Sequence, residues 1–480
     1  MKLSRWALMV ALAGMVMPGL ALAQTRAAAP TRQQAGVQRT AYEYADYYSQ
    51  EAASPSPSDA PAPAPSAAPA AAEEPAAAGC DSCGDDSCGD DTCGAEASEP
   101  WKLFDCCALE QRNIDIGGWI AASPFTWNPD NPANGFNGPV TWNDRSNEFQ
   151  LNQLYWYAQR TVDTEGYGVD IGGRVDLLYG TDSRFTTATG LDNLWSLQNR
   201  FYGLAMPQLF AEVAANDWSV KLGHFYSPVG YEVVPTTGNF FSTLPYTFQY
   251  GEPFTHTGML ATYSGFDKLT LGSGFTRGWD NWSYGNPHLG YLGTATYSFE
   301  DESSLALVIV SGLEPNGGGA FTSRYLQTVV YSRPLTDSVN YVAQSDLGIQ
   351  ANAVTGTGNN TARWYGLNQY LFKTLNDQWT VGVRAEWFRD ESGFRVGGFL
   401  PNTTTGSSRG LPTSFSGYAG SFYELTFGAN WKPNDNLVIR PMIRWDWFSG
   451  QSTNAGGLTP FDDGTSLSQL LIGGDIILLY

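Results

Sequence analysis

"YELTFGANWKPNDNLVIRPMIRWDWF", Tyr423–Phe448, carries its large apolar residues on alternate positions. Tyr423, Leu425, Phe427, Ala429 and Trp431 share one face. After "KPNDN" that face resumes with Leu437, Ile439, Pro441, Ile443, Trp445 and Trp447. The other face carries Glu424, Thr426, Gly428 and Asn430, then Val438, Arg440, Met442, Arg444, Asp446 and Phe448. A period of two broken by Pro, Asn and Asp predicts a strand, a tight turn and a strand. One face is apolar and the other suits water. A soluble sandwich accounts for a single hairpin of this kind, so the rest of the chain decides what the apolar face touches.

Residues 1–23, "MKLSRWALMVALAGMVMPGLALA", have a Lys/Arg start, an apolar run and a small-residue end, the layout of a secretory signal peptide. Beyond it no apolar run approaches the roughly 20 residues that a membrane helix needs, so membrane residence requires strands. Residues 24–79 are rich in Ala, Pro and Ser, as in "SPSPSDAPAPAPSAAPAAAEEPAAA". They hold too few large apolar side chains to offset the entropy of ordering and are expected to form a disordered tether. Residues 80–107 are rich in Cys, Asp and Gly, and from 108 to 480 the chain turns aromatic, Gly-rich and strand-like.

Sixteen candidate strands lie near 112–121, 149–160, 166–179, 206–215, 218–226, 257–265, 267–277, 290–300, 303–313, 321–332, 337–350, 361–374, 377–390, 418–432, 435–448 and 466–480. In "YGVDIGGRVDLLYG", Val169, Ile171, Val175 and Leu177 oppose Asp170, Gly172, Arg174 and Asp176. Connections alternate between short turns such as "ANDW", "LND" and "PND" and longer loops full of Gly, Pro, Asn and Thr. That asymmetry is expected of a transmembrane antiparallel β-barrel with short periplasmic turns and long extracellular loops. Lipid offers backbone groups no hydrogen-bond partner, so a spanning sheet has to close on itself. Trp364, Trp379, Trp431 and Trp447 sit near strand ends, where aromatic girdles are expected. Pro441 removes a ladder donor, so an irregularity is expected beside it.

The formal net charge of −21 argues against a nucleic-acid partner. Much of the acidity is local: through Glu110 there are 15 Asp plus Glu against 6 Lys plus Arg, a net of −9. A hydrolytic barrel needs a nucleophile beside a base. The three histidines, His224, His256 and His288, accompany no nucleophile-elbow sequence, and two of them fall in expected loops. The chain therefore reads as no enzyme, and nothing in it calls for a cofactor.

Cys80, Cys83, Cys88, Cys93, Cys106 and Cys107 all precede the barrel, in a segment that repeats a Cys-Gly-Asp-Asp unit. An exported chain favours disulfides. Metal binding by the thiolates and neighbouring Asp is the alternative, although the Cys83-x4-Cys88-x4-Cys93 spacing is no standard zinc pattern and no His assists.

The Tyr423–Phe448 hairpin, "YGLAMPQLFAEV", "VKLGHFYSPVGYE", "HTGMLATYSG" and the entrance "WKLFDCCALEQRNIDIGGWI" resemble the OmpL-like β-barrel porin family of bacterial outer membranes. The resemblance spans Trp101 to Tyr480. It implies an outer-membrane porin, a water-filled channel for passive diffusion of small hydrophilic solutes or ions, with lipid around it and a homotrimer as the analogous assembly. The resemblance also implies a Glu after "RP" in the late hairpin, where this chain has Met442. A structural or adhesive barrel, anchoring the envelope through its tether, is the alternative.

By face parity the lumen carries Asp170, Arg174, Asp176, Arg384, Glu386, Arg440, Arg444 and Asp446, either lining the pore or holding the wall round by ion pairs. The long connection Ser227–His256 is rich in Phe and Tyr, which would form a costly exposed patch outside the barrel. It is expected to fold inward as a constriction, placing Glu232 and Glu252 near wall cations such as Arg384, Arg440 or Arg444.

Overall fold

The computed structural model describes residues 101–104, 109, 111–133, 135–164, 168–195, 201–283, 286–316, 319–353, 361–397, 417–452 and 457–480. The six cysteines, the signal peptide and the tether lie outside the described residues.

Alternating side chains form sixteen strands: β1 Ile114–Ser123, β2 Gln150–Arg160, β3 Val169–Gly180, β4 Gly203–Ala215, β5 Trp218–Tyr226, β6 Thr255–Tyr263, β7 Leu269–Thr276 and β8 Gly290–Ser298. There follow β9 Ser304–Pro315, β10 Phe321–Thr336, β11 Val339–Gln350, β12 Ala362–Asn376, β13 Trp379–Asp390, β14 Tyr418–Asn434, β15 Leu437–Ser452 and β16 Ser468–Leu479. Each strand pairs antiparallel with its neighbours in sequence, and β1 pairs with β16, so the sheet is a closed barrel. Closure removes the free edges that lipid could not satisfy. All sixteen expected strands are present, with ends within four residues of the expected ones.

Two-residue turns at 216–217, 337–338, 377–378 and 435–436 lie at one end of the barrel, together with the start of β1 and the end of β16. Asn216 adopts φ 50, a left-handed turn conformation that Asn tolerates better than most residues. The backbone of Trp101 docks at this same end, donating to Asn436 Oδ1 (2.9 Å) and accepting from Asn436 Nδ2 (2.7 Å). The long connections gather at the other end, except for the short link 316–320 between β9 and β10.

The two faces segregate as the opening hairpin requires. Phe427 and Trp445 point outward and are half exposed (53% and 50%), whereas Arg440, Arg444 and Asp446 point inward and are buried. Trp379 stacks on Trp431 at the short-turn end (5.6 Å) and Tyr423 on Trp447 at the other (5.2 Å), an aromatic belt at each rim. Trp364 departs from expectation. Its even position on β12 turns it into the lumen, fully buried, with Nε1 donating to Gly251 O (3.0 Å), so it belongs to no girdle.

The expected irregularity at Pro441 is also present. The β14–β15 ladder pairs Gly428 with Met442 and Trp431 with Ile439, but skips Pro441 and Arg440. On the other side Pro441 faces Gly474, where a Cβ would lie 2.2 Å from Arg440 O, so only glycine fits against the proline-distorted strand.

Candidate functional site

After Tyr226 the chain turns into the barrel and does not leave it until Thr255. The neck of this lumen loop is closed by Ser227 N donating to Phe254 O (2.9 Å) and by Ser227 Oγ lying 3.2 Å from His256 Nε2. His256 therefore sits at the start of β6, not in a loop. Its other ring nitrogen lies 3.2 Å from Gly278 O, so the imidazole ties three backbone segments together.

A loop with little regular structure cannot satisfy its own carbonyls, and burial without partners is costly. Wall arginines supply the donors. Arg440 donates through Nη1 to Thr236 O (2.8 Å) and Asn239 O (2.5 Å), while Asp475 holds its other edge. Arg384 donates to Thr243 O (2.8 Å) and is flanked by Glu232 of the loop (2.9 Å) and Glu424 of β14 (2.8 Å). Arg444 donates to Leu244 O (2.7 Å) and pairs with Asp446 (2.8 Å). Glu386 takes the opposite polarity, accepting from Tyr246 N (2.7 Å), Thr247 N (2.6 Å) and Thr247 Oγ1 (2.7 Å). These four residues occupy inward positions on β13 and β15, one or two inward steps apart, so strand periodicity sets their spacing against the loop.

The aromatic residues complete the seat. Phe240 packs on Phe372 (4.8 Å), Tyr246 on Phe422 (4.9 Å) and Phe248 on Phe254 (4.5 Å). Met442 Sδ accepts from the hydroxyls of Ser242 (3.4 Å) and Thr243 (3.5 Å), so a neutral thioether stands where the family resemblance implies a carboxylate. Burial pushes the Glu232 carboxyl above its ordinary range, and the Arg384 charge pulls it back. Burial pushes the Tyr246 hydroxyl well up.

Glu252 is buried away from the three arginines. It accepts from Gln344 Nε2 (2.5 Å), which also donates to Asp346 (2.9 Å), and Asp346 hydrogen-bonds to Glu252. On β3, a quarter of the barrel from β15, Arg174 pairs with Asp176 (2.6 Å) and Asp170 with Arg160 (3.0 Å). Asp176 also accepts from Gln208 Nε2 (2.7 Å) and from the Tyr155 hydroxyl. These inward charges thus include a loop-clamping group on β13–β16, Asp346 of β11 beside Glu252, and two ion pairs on β2–β3.

Sequence reasoning missed Gln153, Gln344 and Arg395. Gln153 donates to Val234 O (2.9 Å) and accepts from Thr236 N (3.1 Å); Gln344 accepts from Tyr231 N (3.0 Å); Arg395 donates to Tyr250 O (2.5 Å). Inward parity was the available signal for both glutamines. Arg395 lies beyond the end of β13, where parity says nothing.

A closed sheet of sixteen strands, apolar outside and polar inside, with a long loop folded into its lumen, defines a membrane β-barrel of the porin class. The chain belongs to the family described as "beta-barrel porin-2, OmpL-like", whose model matches residues 113–480, and is accordingly an outer-membrane porin. Among solved structures it is similar to the anion-selective porin from Comamonas acidovorans, at 10% identity and a TM-score of 0.52 over 76% of this chain and 99% of that one. It is also similar to Pseudomonas putida OprB, at 11% identity and a TM-score of 0.50 over 78% and 96%. Identities this low speak for the fold alone. No curated protein matches the sequence.

Proposed function

We propose that the chain is a diffusion pore for small hydrophilic solutes whose constriction is the lumen loop Ser227–Phe254. The observation that carries this reading is the clamp of Arg384, Arg440, Arg444 and Glu386, which holds the loop across the lumen at mid-height. The remaining room lies along β6–β9. Among their inward residues Gly258, Thr262, Gly274, Thr294 and Ala306 are small and partly exposed, whereas Leu260, Leu292, Val308 and Val310 beside them are buried. The charges beside this lane are of both signs, Lys221 on β5 and Glu314 at the end of β9, the latter paired with Arg324, so discrimination between ions of opposite sign is weak. In this reading Arg174 and Asp176 are lumen charges, Asp170 is a charge of the short-turn rim beside Arg160, and Glu232 acts in the constriction through Arg384.

Planar-bilayer recording tests the proposal: steady open steps with a reversal potential near zero in a salt gradient are expected. A second reading has one observation in its favour. Inward residues at mid-height from β10 round to β3, among them Leu326, Asn368, Thr426 and Tyr155, are all buried, as a sealed, structural barrel would have them. Inserted barrels that stay electrically silent would favour that reading.

Residues 1–23 direct export, and residues 24–100 form a periplasmic tether dispensable for the barrel. The docking of Trp101 on Asn436 supports this boundary. A chain beginning at Trp101 is expected to refold in detergent and to show the heat-modifiable gel mobility of the full chain; failure to fold would refute the boundary. In the same topology the short turns face the periplasm. Protease added to whole cells should cut within 397–410 before it reaches Asn434, and the reverse order would invert the topology. The cysteine segment forms disulfides, and titration of the reduced 78–108 peptide with Zn²⁺ decides against metal if affinity is weaker than micromolar. Self-association, as a homotrimer, completes the proposed assembly.

A further inference from the structure

Charged side chains are rare on the outward rows of the strands. Among the described residues, only β12 and β13 carry one there at the long-loop end. On β13 Arg389 stands one outward step beyond Trp387, which lies beside Tyr423 of the outer aromatic belt. On β12 Arg363 stands one outward step beyond Tyr365. An outward step is two residues, about 5 Å along the membrane normal at roughly 3.3 Å per residue and a tilt of roughly 40°. Both guanidinium groups therefore sit just past the aromatic belt, at the depth of lipid headgroups.

The two arginines can reach one ligand. Arg389 pairs with Tyr365 in the β12–β13 ladder, and Arg363 is the next outward residue along β12, a diagonal that long side chains span. Arg389 donates to Ser421 Oγ (3.2 Å), which also accepts from Trp387 Nε1 (3.1 Å), and no carboxylate lies within ion-pair distance of Arg389 among the described residues. Arg363 faces Glu391 at 3.7 Å, with both side chains exposed (46% and 36%). An ion pair so long and so hydrated contributes little and yields to a better anion. Glu391 has a second partner, accepting from the Tyr365 hydroxyl (2.6 Å). Below the arginines the wall is apolar and open, with Leu367, Trp387, Ile443 and Trp445 exposed.

We propose that Arg363 and Arg389 bind the phosphate of an outer-leaflet lipid, whose acyl chains lie on the apolar wall below. The inference rests on the topology proposed above, which puts this rim in the outer leaflet. Each guanidinium fork bonds two anionic oxygens at once, and a phosphate has oxygens enough for both forks, where a carboxylate has two in all. A free phosphate would leave the exposed Leu367 and Trp387 uncovered. A lipid meets the cations with its headgroup and the apolar surface with its tails. Arg333 on β10, at the opposite rim, is the natural comparison: it points outward, is half exposed and faces Asp301 at 3.6 Å, but the strands beside it carry no second outward cation.

The test is native mass spectrometry of the full-length protein in neutral detergent, titrated with lipid A, a diphosphorylated lipid, and with its dephosphorylated form. Wild type should bind the phosphorylated form about tenfold more tightly, the gain expected of charge-assisted hydrogen bonds. A variant carrying Arg363→Gln and Arg389→Gln should lose that preference with heat-modifiable mobility intact, since both side chains project from the outer wall. Glu391→Gln removes the competing carboxylate and should tighten binding, whereas weaker binding would overturn direct pairing of Arg363 with the phosphate. Arg333→Gln should leave the preference as it is in wild type. Equal binding of the two lipids by wild type, or a preference that survives in the double variant, would overturn the site. Displacement of lipid A by an equal concentration of inorganic phosphate would overturn a lipid as its ligand. Binding in detergent is read whichever way the barrel lies in the membrane, and the protease experiment reads that topology separately.

Discussion

Replacing residues 236–250 by a short Gly/Ser linker should raise single-channel conductance roughly three- to tenfold, because a sixteen-stranded barrel without an inserted loop leaves an aqueous channel. The segment removed includes Phe240, Phe241, Tyr246, Phe248 and Tyr250, all buried within the lumen. It also removes the carbonyls of Thr236, Asn239, Thr243 and Leu244, on which the three arginines converge. The guanidinium groups then face water but keep Asp475, Glu424 and Asp446 beside them. Conductance should therefore rise far more than ion preference shifts. Equal conductance in wild type and linker variant would mean that the loop does not limit flow.

Arg384→Ala should destabilise the barrel by about 3–5 kcal/mol, the penalty for leaving buried partners without their counter-charge. Glu232 and Glu424 both lie against this guanidinium, and all three side chains are essentially inaccessible to solvent. The charge, rather than the bulk, is what the site requires. An Arg384→Met, Glu232→Gln, Glu424→Gln triple variant removes every charge together and should recover most of the loss, since a buried ion network is often no more stable than a neutral replacement. Heat-modifiability measured over a temperature series reads both results. A single variant as stable as wild type would show that the loop is held by its aromatic contacts instead.

The barrel was legible in the sequence because its signal is repeated: sixteen strands of alternating polarity, separated by turns of two contrasting lengths. The inward placement of Arg384, Arg440, Arg444 and Asp446 followed from parity alone, and the loop's inward course from its aromatic content. Parity also had the information to turn Trp364 inward, but proximity to a strand end outweighed it. What parity cannot supply is the partner across the lumen. Glu232 meets Arg384, whereas Glu252 meets Gln344 and Asp346, because the loop reverses at its π-helical turn Thr247–Gly251 and returns along β11 and β12. That reversal depends on contacts between segments more than a hundred residues apart, such as Trp364 with Gly251, and local sequence does not encode them.

The seam between the first and last strands bears on the order of folding. β1 and β16 share only a short register, Trp119–Ala122 against Ile476–Leu479, extended by Gly118 with Tyr480 and by Trp127 with Ile472. Pairing Trp119 with Leu479 joins positions 360 residues apart in sequence, so this contact is the least local in the sheet. The lumen loop is held from both sides of this seam, by Gln153 of β2 and by the Arg440–Asp475 pair of β15 and β16. While the seam is open, the loop has a lateral way in; once it has shut, the only approach left is through an already crowded mouth. The loop and its arginines are therefore best assembled first, turning the flanking strands into a template on which the final strand registers, so that mutations in the clamp would slow barrel closure as well as weaken the finished barrel.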